Sequence, residues 1–163
     1  MSIYQGPELL DADHDSAGFD CGDEMLNEWL RRRALRNQGE GSSRTWVVTD
    51  GERVVAYYAS STAALVREEA SGRIARNQPN PLPAMLLGRL AVDRDHQRMG
   101  LGAALLKHFL GKALEVSELT GLRLALVHAN SVQAANFYRH FGFEASPFDD
   151  LTLMLLLSDI RPT

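Results

Sequence analysis

Apolar and polar positions change period several times along the chain, and each change marks an element. From Glu24 to Asn37 the residues Met25, Leu26, Trp29, Leu30 and Ala34 recur at helical spacing on one face, with Asp20 or Asp23 placed to cap the start. Arg33 and Asn37 fall inside that stripe, while Arg31, Arg32 and Arg36 fall outside it. RTWVVTD (44–50) and RVVAYYASSTAAL (53–65) read as two strands, and Asp50-Gly51 between β-branched runs predicts a tight hairpin. Residues 66–83, with three Arg and three Pro, show no clear period and read as an irregular functional loop. AMLLGRLAVD (84–93) reads as a buried strand.

In the second half, HQRMGLGAALLKHFLGKALEV (96–116) is a glycine turn opening into a helix. Leu105, Phe109 and Ala113 lie on its core face, beside Leu106, Leu110 and Leu114. LRLALVHAN (122–130) reads as a strand, SVQAANFYRHFG (131–142) as a short helix ending at Gly142, and FEASPFDDLTLMLLL (143–157) as one or two closing strands. Helices and strands interleave, so the fold class is α/β (α+β) with a mixed sheet. The 163 residues, without repeat or linker, predict one domain over 1–163.

Composition narrows the classes. A hydrophobic content of 45% with 23% charged residues suits a soluble globular protein. The longest apolar stretch, LTLMLLL (151–157), is strand-length, and no export signal is visible, so no membrane is expected. Cys21 is the only cysteine, which forbids an intrachain disulfide and suggests a cytoplasmic setting. The net charge of −4 argues weakly against a polyanion partner, yet residues 1–28 hold eight acids and no Lys or Arg, while residues 29–98 hold twelve Arg against seven acids. Fifteen of the 17 basic residues are Arg, a choice that suits phosphate contacts and that a GC-rich genome would equally produce.

The strongest chemical signal is Gln97-Arg98-Met99-Gly100-Leu101-Gly102 at a strand-to-helix junction. Two glycines admit a ligand close to the backbone, and successive N–H groups with the helix dipole favour an anion such as a pyrophosphate. No Gly-Lys-Ser/Thr follows, so this is not a Walker loop, and the full dinucleotide fingerprint is absent. Downstream, Asn130 ends a strand and is followed by Ala134, Phe137, Tyr138, Gly142 and Phe143. His14, His96, His108 and His140 make no ligand spacing with Cys21, so no metal is expected. His128, inside an apolar strand, reads as a core histidine. Of Tyr57 and Tyr58, strand alternation sends only one inward.

These two patterns together resemble the GNAT superfamily of N-acetyltransferases. Residues 97–102 match its acetyl-CoA motif Gln/Arg-x-x-Gly-x-Gly/Ala, and residues 130–143 match its C-terminal Asn-x-x-x-Ala-x-x-Phe-Tyr-x-x-x-Gly-Phe pattern. FDCGDEMLNEWLRRRALRNQ (19–38), SRTWVV (43–48) and GRIARNQPNPLPAMLLGRLAVD (72–93) are similar to the TacT-like toxins of toxin–antitoxin pairs. The resemblance implies a GNAT fold, with a mixed, mostly antiparallel sheet splayed at the acetyl-CoA site and about four flanking helices. It implies a single acetyltransferase that acetylates the α-amine of aminoacyl-tRNA and stops translation, with acetyl-CoA as co-substrate. A homodimer, neutralised by a small ribbon-helix-helix antitoxin, is implied as well.

Residue by residue, the resemblance assigns the backbone of Leu90, Ala91 and Val92 to the pantetheine. The turn amides of Arg98, Met99, Gly100, Leu101, Gly102 and Ala103 are assigned to the pyrophosphate, with Gln97, Asn130 and Phe137 also in the cofactor set. Tyr138 becomes the general acid for the coenzyme A thiolate, since a phenol is protonated at neutral pH. No residue stands out as a general base, and Glu40, Glu68 and Glu69 qualify by type alone. An ester beside the α-amine lowers the amine's pKa and lessens the need for one. Arg32, Arg33, Arg36, Arg73 and Arg76 are the tRNA phosphate candidates; the alternative pairs such arginines with Glu28, Glu68 or Glu69. Competing functions are a GNAT enzyme acting on a small-molecule or protein amine, and a non-catalytic acyl-CoA-binding module.

Overall fold

The computed structural model describes residues 3–160, with seven strands and five α-helices. In chain order these are β1 (Tyr4–Leu9), α1 (Glu24–Arg32), α2 (Ala34–Gly39), β2 (Arg44–Asp50), β3 (Arg53–Leu65), α3 (Gly72–Ala75), β4 (Leu82–Val92), α4 (Leu101–Ser117), β5 (Leu124–His128), α5 (Val132–His140), β6 (Glu144–Ser146) and β7 (Asp149–Leu156). Hydrogen bonding orders the strands β1-β2-β3-β4-β5-β7-β6. The β4–β5 pair is parallel and the β1–β2, β2–β3, β5–β7 and β6–β7 pairs are antiparallel, giving the mixed, mostly antiparallel sheet expected. Two compact units are distinguishable: the chain up to Ser61 with Gly88–Phe109, and Thr62–Leu87 with the chain from Leu110 onward. Of the 1–163 span assigned to one domain, residues 1–2 and 161–163 lie outside the described residues. No helix among the described residues is long and apolar enough to cross a membrane.

In the first unit the hairpin β2–β3 forms as its sequence predicts, with Asp50 paired to Arg53 and Gly51 at a φ of +65°. β1 is invisible to pattern reading because Gly6-Pro7 sits in its middle. It tolerates them as an edge strand whose register with β2 shifts between Gln5 and Glu8. Gly6 is required there: its φ is +103°, and a Cβ would lie 2.5 Å from the Val47 carbonyl oxygen. The single helix expected over 24–37 is divided at Arg33 into α1 and α2. The backbone ladder nevertheless continues, from Arg33 N–H to the Trp29 carbonyl and from Asn37 N–H to that of Arg33, so the break is a change of φ to −118°. Leu30 and Ala34 bury on either side of it, against Leu10, Phe19, Val47, Val54, Tyr57 and Ala91.

Asp23 is the residue that caps α1, accepting from Met25 N–H at 3.0 Å. The first turn departs from the expected stripe: Met25 is 83% exposed and Asn27 is buried. Asn27 goes inward because the loop it faces is polar, accepting from Cys21 N–H and donating to Asp20.

In the second unit, part of the segment read as an irregular loop is regular. A 3-10 turn, Arg67–Glu69, and the short helix α3 drive Ile74 into a core with Leu65, Ala70, Leu82, Leu124 and Met154. The apolar residues there are too few to show a period, and burial of Ile74 outweighs the weak local propensity. Parallel pairing of β4 with β5 runs from Ala84↔Leu124 to Leu87↔Val127. Two closing strands, β6 and β7, form an antiparallel hairpin. His128 is exposed, which corrects its reading as a core histidine. It ends β5, and its ring bonds the Thr152 hydroxyl at 3.2 Å.

Candidate active site

The glycine turn belongs to the first unit and hangs from the end of β4. Asp93, 2% exposed, accepts from the N–H groups of Asp20 and Asp95 and so ties the loop before α1 to the turn. The Gln97 side-chain amide donates to the Val92 carbonyl at 3.0 Å and the Cys21 carbonyl at 3.4 Å, so it braces strand end and turn. Arg98 and Gly100 then adopt left-handed backbone, with φ of +66° and +80°. A Cβ on Gly100 would meet nothing within 4 Å, so the backbone conformation, not crowding, calls for glycine.

α4 begins at Leu101, and its first helical bond runs from Ala104 N–H to the Gly100 carbonyl. The N–H groups of Leu101, Gly102 and Ala103 are therefore left without intrahelical acceptors, at the positive end of a 17-residue helix. Such a terminus is chemically suited to an anion, and it fits the diphosphate of a coenzyme A group. Arg98 and Met99 are exposed. Leu90, Ala91 and Val92 close β4; Ala91 is buried in the α1-facing core, and its neighbours are half-buried.

In the second unit, Asn130 is exposed and precedes Ser131, whose hydroxyl caps α5 by accepting from Ala134 N–H at 3.1 Å. Tyr138 is 6% exposed, and its ring is wedged between Phe137 at 5.2 Å and Phe143 at 5.7 Å, centroid to centroid. Its hydroxyl makes no hydrogen bond to a described residue. Burial pushes its pKa upward, so the phenol is neutral throughout the physiological range. An apolar-walled, protonated and uncommitted hydroxyl is equipped to donate to a developing anion.

Neither tyrosine of the β3 pair is left half-exposed, because both faces of that strand are covered. The Tyr57 hydroxyl donates to the Leu26 carbonyl of α1 at 2.7 Å, and Tyr58 bonds His108 of α4 at 2.7 Å. Burial raises the Tyr57 pKa as well. Of the carboxylates considered as bases, all three are exposed, and Glu40 pairs with Arg36 at 3.3 Å. Among the described residues no group of three or more His, Cys, Asp or Glu could hold a metal ion.

The arginine candidates are not gathered into one patch of free guanidinium groups. Arg32 lies 3.9 Å from Glu28, and Arg73 bonds both Glu144 and Asp159 at 2.6 Å, which pushes its pKa up. Arg33 and Arg76 are exposed. Pattern reading passed over Arg89, whose guanidinium carbon sits 4.3 Å above the centroid of the Trp29 ring. The only signal for it was a lone charge inside LLGRLAV.

The acetyltransferase (GNAT) domain model matches residues 41–145. A "tRNA-acetylating toxin" of Mycobacterium tuberculosis is 44% identical over 161 residues, 99% of this chain and 97% of its own. Among solved structures, AtaT complexed with acetyl-methionyl-tRNAfMet superposes with a TM-score of 0.86 at 29% identity, covering 93% of this chain and 94% of that one. A Tyr-to-Phe mutant of AtaT bound to acetyl-CoA and the C-terminus of the antitoxin AtaR gives 0.79 at 28% identity, over 93% and 92%. A glycine turn opening a helix, a buried tyrosine after a capped helix start and a matching domain pattern thus converge, and the chain belongs to the acetyltransferase (GNAT) domain family.

Proposed function

We propose that this N-acetyltransferase moves the acetyl group of acetyl-CoA onto the α-amine of aminoacyl-tRNA, and that the modified tRNA blocks translation. The observation that carries the reading is the 44% identity, end to end, with a protein named for acetylating tRNA. The AtaT complex with acetyl-methionyl-tRNA supports it at the level of the fold. The whole span 1–163 acts as one catalytic domain.

Acetyl-CoA supplies a thioester, whose carbonyl carbon accepts an amine and whose sulfur leaves as a thiolate. The turn from Arg98 to Ala103, braced by the Gln97 side chain, holds the diphosphate through backbone N–H groups, helped by the α4 dipole. Leu90, Ala91 and Val92 offer backbone partners to the pantetheine amides, while Asn130 and Phe137 complete the cofactor set. Tyr138 donates its phenolic proton to the thiolate, the transfer that general acid catalysis requires. The amine attacks as the free base, because the neighbouring ester lowers its pKa, so no carboxylate of this chain is assigned to deprotonate it beforehand. The proton that its nitrogen sheds as the amide forms passes through water and restores the Tyr138 phenol. Arg32, Arg33, Arg36, Arg73 and Arg76 contact tRNA phosphates, those now paired with acids exchanging partners on binding. The enzyme works in the cytoplasm as a homodimer, and a ribbon-helix-helix antitoxin silences it.

The carboxylate pairing of Arg32, Arg36 and Arg73, with a net charge of −4, favours a second reading in which a small-molecule or protein amine is acetylated. One experiment separates the two. Labelled acetyl-CoA is incubated with a charged tRNA pool, and label is followed into tRNA for wild type and an Arg73→Glu/Arg76→Glu double variant. Label on tRNA that the double variant fails to transfer supports the proposed function and these two contacts. No label, from protein that binds acetyl-CoA, overturns it in favour of the second reading.

A further inference from the structure

The arginines of the first unit divide sharply by what surrounds them. Arg31, Arg32, Arg36, Arg44, Arg53 and Arg94 each reach a carboxylate or a carbonyl. Arg33 and Arg98 are exposed. Arg89 alone is half-buried yet has no hydrogen bond or ion pair with a described residue. Burial pulls its pKa down, and the neighbouring Tyr57 phenol, itself kept neutral by burial, supplies no charge to offset that. A guanidinium removed from water without an anion is costly, and the cost is recovered when an anion arrives from outside.

Its setting is rigid. Trp29 lies under the guanidinium and stacks on Tyr57, with centroids 6.0 Å apart and planes 12° apart. Tyr57 is locked in turn by its bond to the Leu26 carbonyl. With its carbon over the indole face and no acceptor among the described residues, the guanidinium keeps its N–H groups for a bidentate acceptor. Arg89 also directly precedes Leu90–Val92, the strand assigned to the acetyl donor. It shares the α1-facing side of β4 with Ala91, two residues on.

We infer that Arg89, held over Trp29, is an acceptor-binding residue that takes a phosphodiester at the 3′ end of charged tRNA. This rests on the proposed function. The chemistry selects phosphate because the carboxyl of an esterified amino acid carries no charge. The anion nearest the reacting amine is then the phosphodiester of the terminal nucleotide.

Binding of uncharged tRNA to Arg89→Gln and Arg89→Lys is measured against salt, alongside kcat/KM on charged tRNA, affinity for acetyl-CoA and thermal melting. For Arg89→Gln, kcat/KM falls about 10- to 100-fold and the slope of log Kd against log salt drops by about one, while acetyl-CoA affinity and melting hold. Arg89→Lys keeps the charge, so it retains the slope and loses less activity than Arg89→Gln. An unchanged slope in Arg89→Gln overturns the inference. So does a parallel loss of acetyl-CoA affinity or folding, which would make Arg89 a donor-site or structural residue. If wild type acetylates charged tRNA and Arg89→Gln does so equally well, the inference alone fails. If wild type acetylates no charged tRNA, the proposed function fails with it.

Discussion

Replacing Tyr138 with Phe removes one oxygen from a ring that otherwise stays where it is. Phe137 and Phe143 hold that ring edge-on at 5.2 and 5.7 Å, and neither contact involves the hydroxyl. The hydroxyl gives up no hydrogen bond to a described residue, so folding stability should change by no more than about 0.5 kcal/mol. Catalysis should respond very differently. A positioned general acid contributes about 10²- to 10⁴-fold, or roughly 3–5 kcal/mol of barrier, and water admitted beside the sulfur recovers only part of it.

The assay follows coenzyme A release with a thiol reagent at saturating acceptor, with KM for acetyl-CoA and the melting temperature measured on the same preparations. Tyr138→Phe should lower kcat at least ~100-fold with KM for acetyl-CoA and melting unchanged. Burial raises the Tyr138 pKa, so the donor stays protonated beyond its ordinary value of 10.0. Wild-type kcat should therefore show no Tyr138-dependent decline between about pH 7 and 10. A kcat within about threefold of wild type would refute the proton-donor role. A fall in kcat accompanied by a lower melting temperature would show instead that the hydroxyl supports the fold.

Three further substitutions test the framework. Tyr57→Phe removes the 2.7 Å bond that the hydroxyl adds to the Leu26 carbonyl of α1 and should cost about 1 kcal/mol in denaturant unfolding, with an unchanged midpoint counting against the bond. Gly6→Ala drives a Cβ to 2.5 Å from the Val47 carbonyl at a φ of +103°, so a loss of about 2 kcal/mol or more is expected; tolerance would mean that the edge strand is not held in this register. Gly100→Ala has open space for its Cβ and should lose only about 1 kcal/mol of stability, yet weaken acetyl-CoA binding in a calorimeter as the turn relaxes. Stability itself should fall above about pH 10, because the unfolded chain releases the protons of Tyr57 and Tyr138 while the fold keeps both phenols neutral; either Phe variant should make that alkaline limb shallower in urea titrations.

Where one local signal dominates, the sequence and the structure agree. Asp50-Gly51 between two β-branched runs needs no help from distant residues, and β2 and β3 have the bounds expected of them. Ser131 and Gly142 likewise bracket α5 by cap chemistry alone. Disagreement begins where a distant contact decides. β1 is a strand because β2 offers it an edge, although Gly6-Pro7 argues locally for a turn. Asn27 outranks Met25 for the interior because the Cys21 N–H needs an acceptor, which no hydrophobic count can register. Ile74 converts part of an apparent loop into core for the same reason.

The same distinction separates the two substrates. In the proposed function the acetyl donor is gripped by main-chain groups: N–H groups at the start of α4 and the backbone of the β4 end. Backbone recognition demands particular φ values, and glycines at fixed spacing write those demands into a short contiguous string, 97–102. The acceptor has no such string. Arg89, Trp29 and Tyr57 come from β4, α1 and β3, are separated by 28 to 60 positions, and meet only after the sheet has formed. Each is ordinary in its own segment, and the lack of an anionic partner among the described residues beside a half-buried guanidinium can be seen only when its neighbours are in place. Relatives that share the donor string can therefore differ in acceptor while keeping the reaction, and the side chains around Trp29 are where such a difference should be sought.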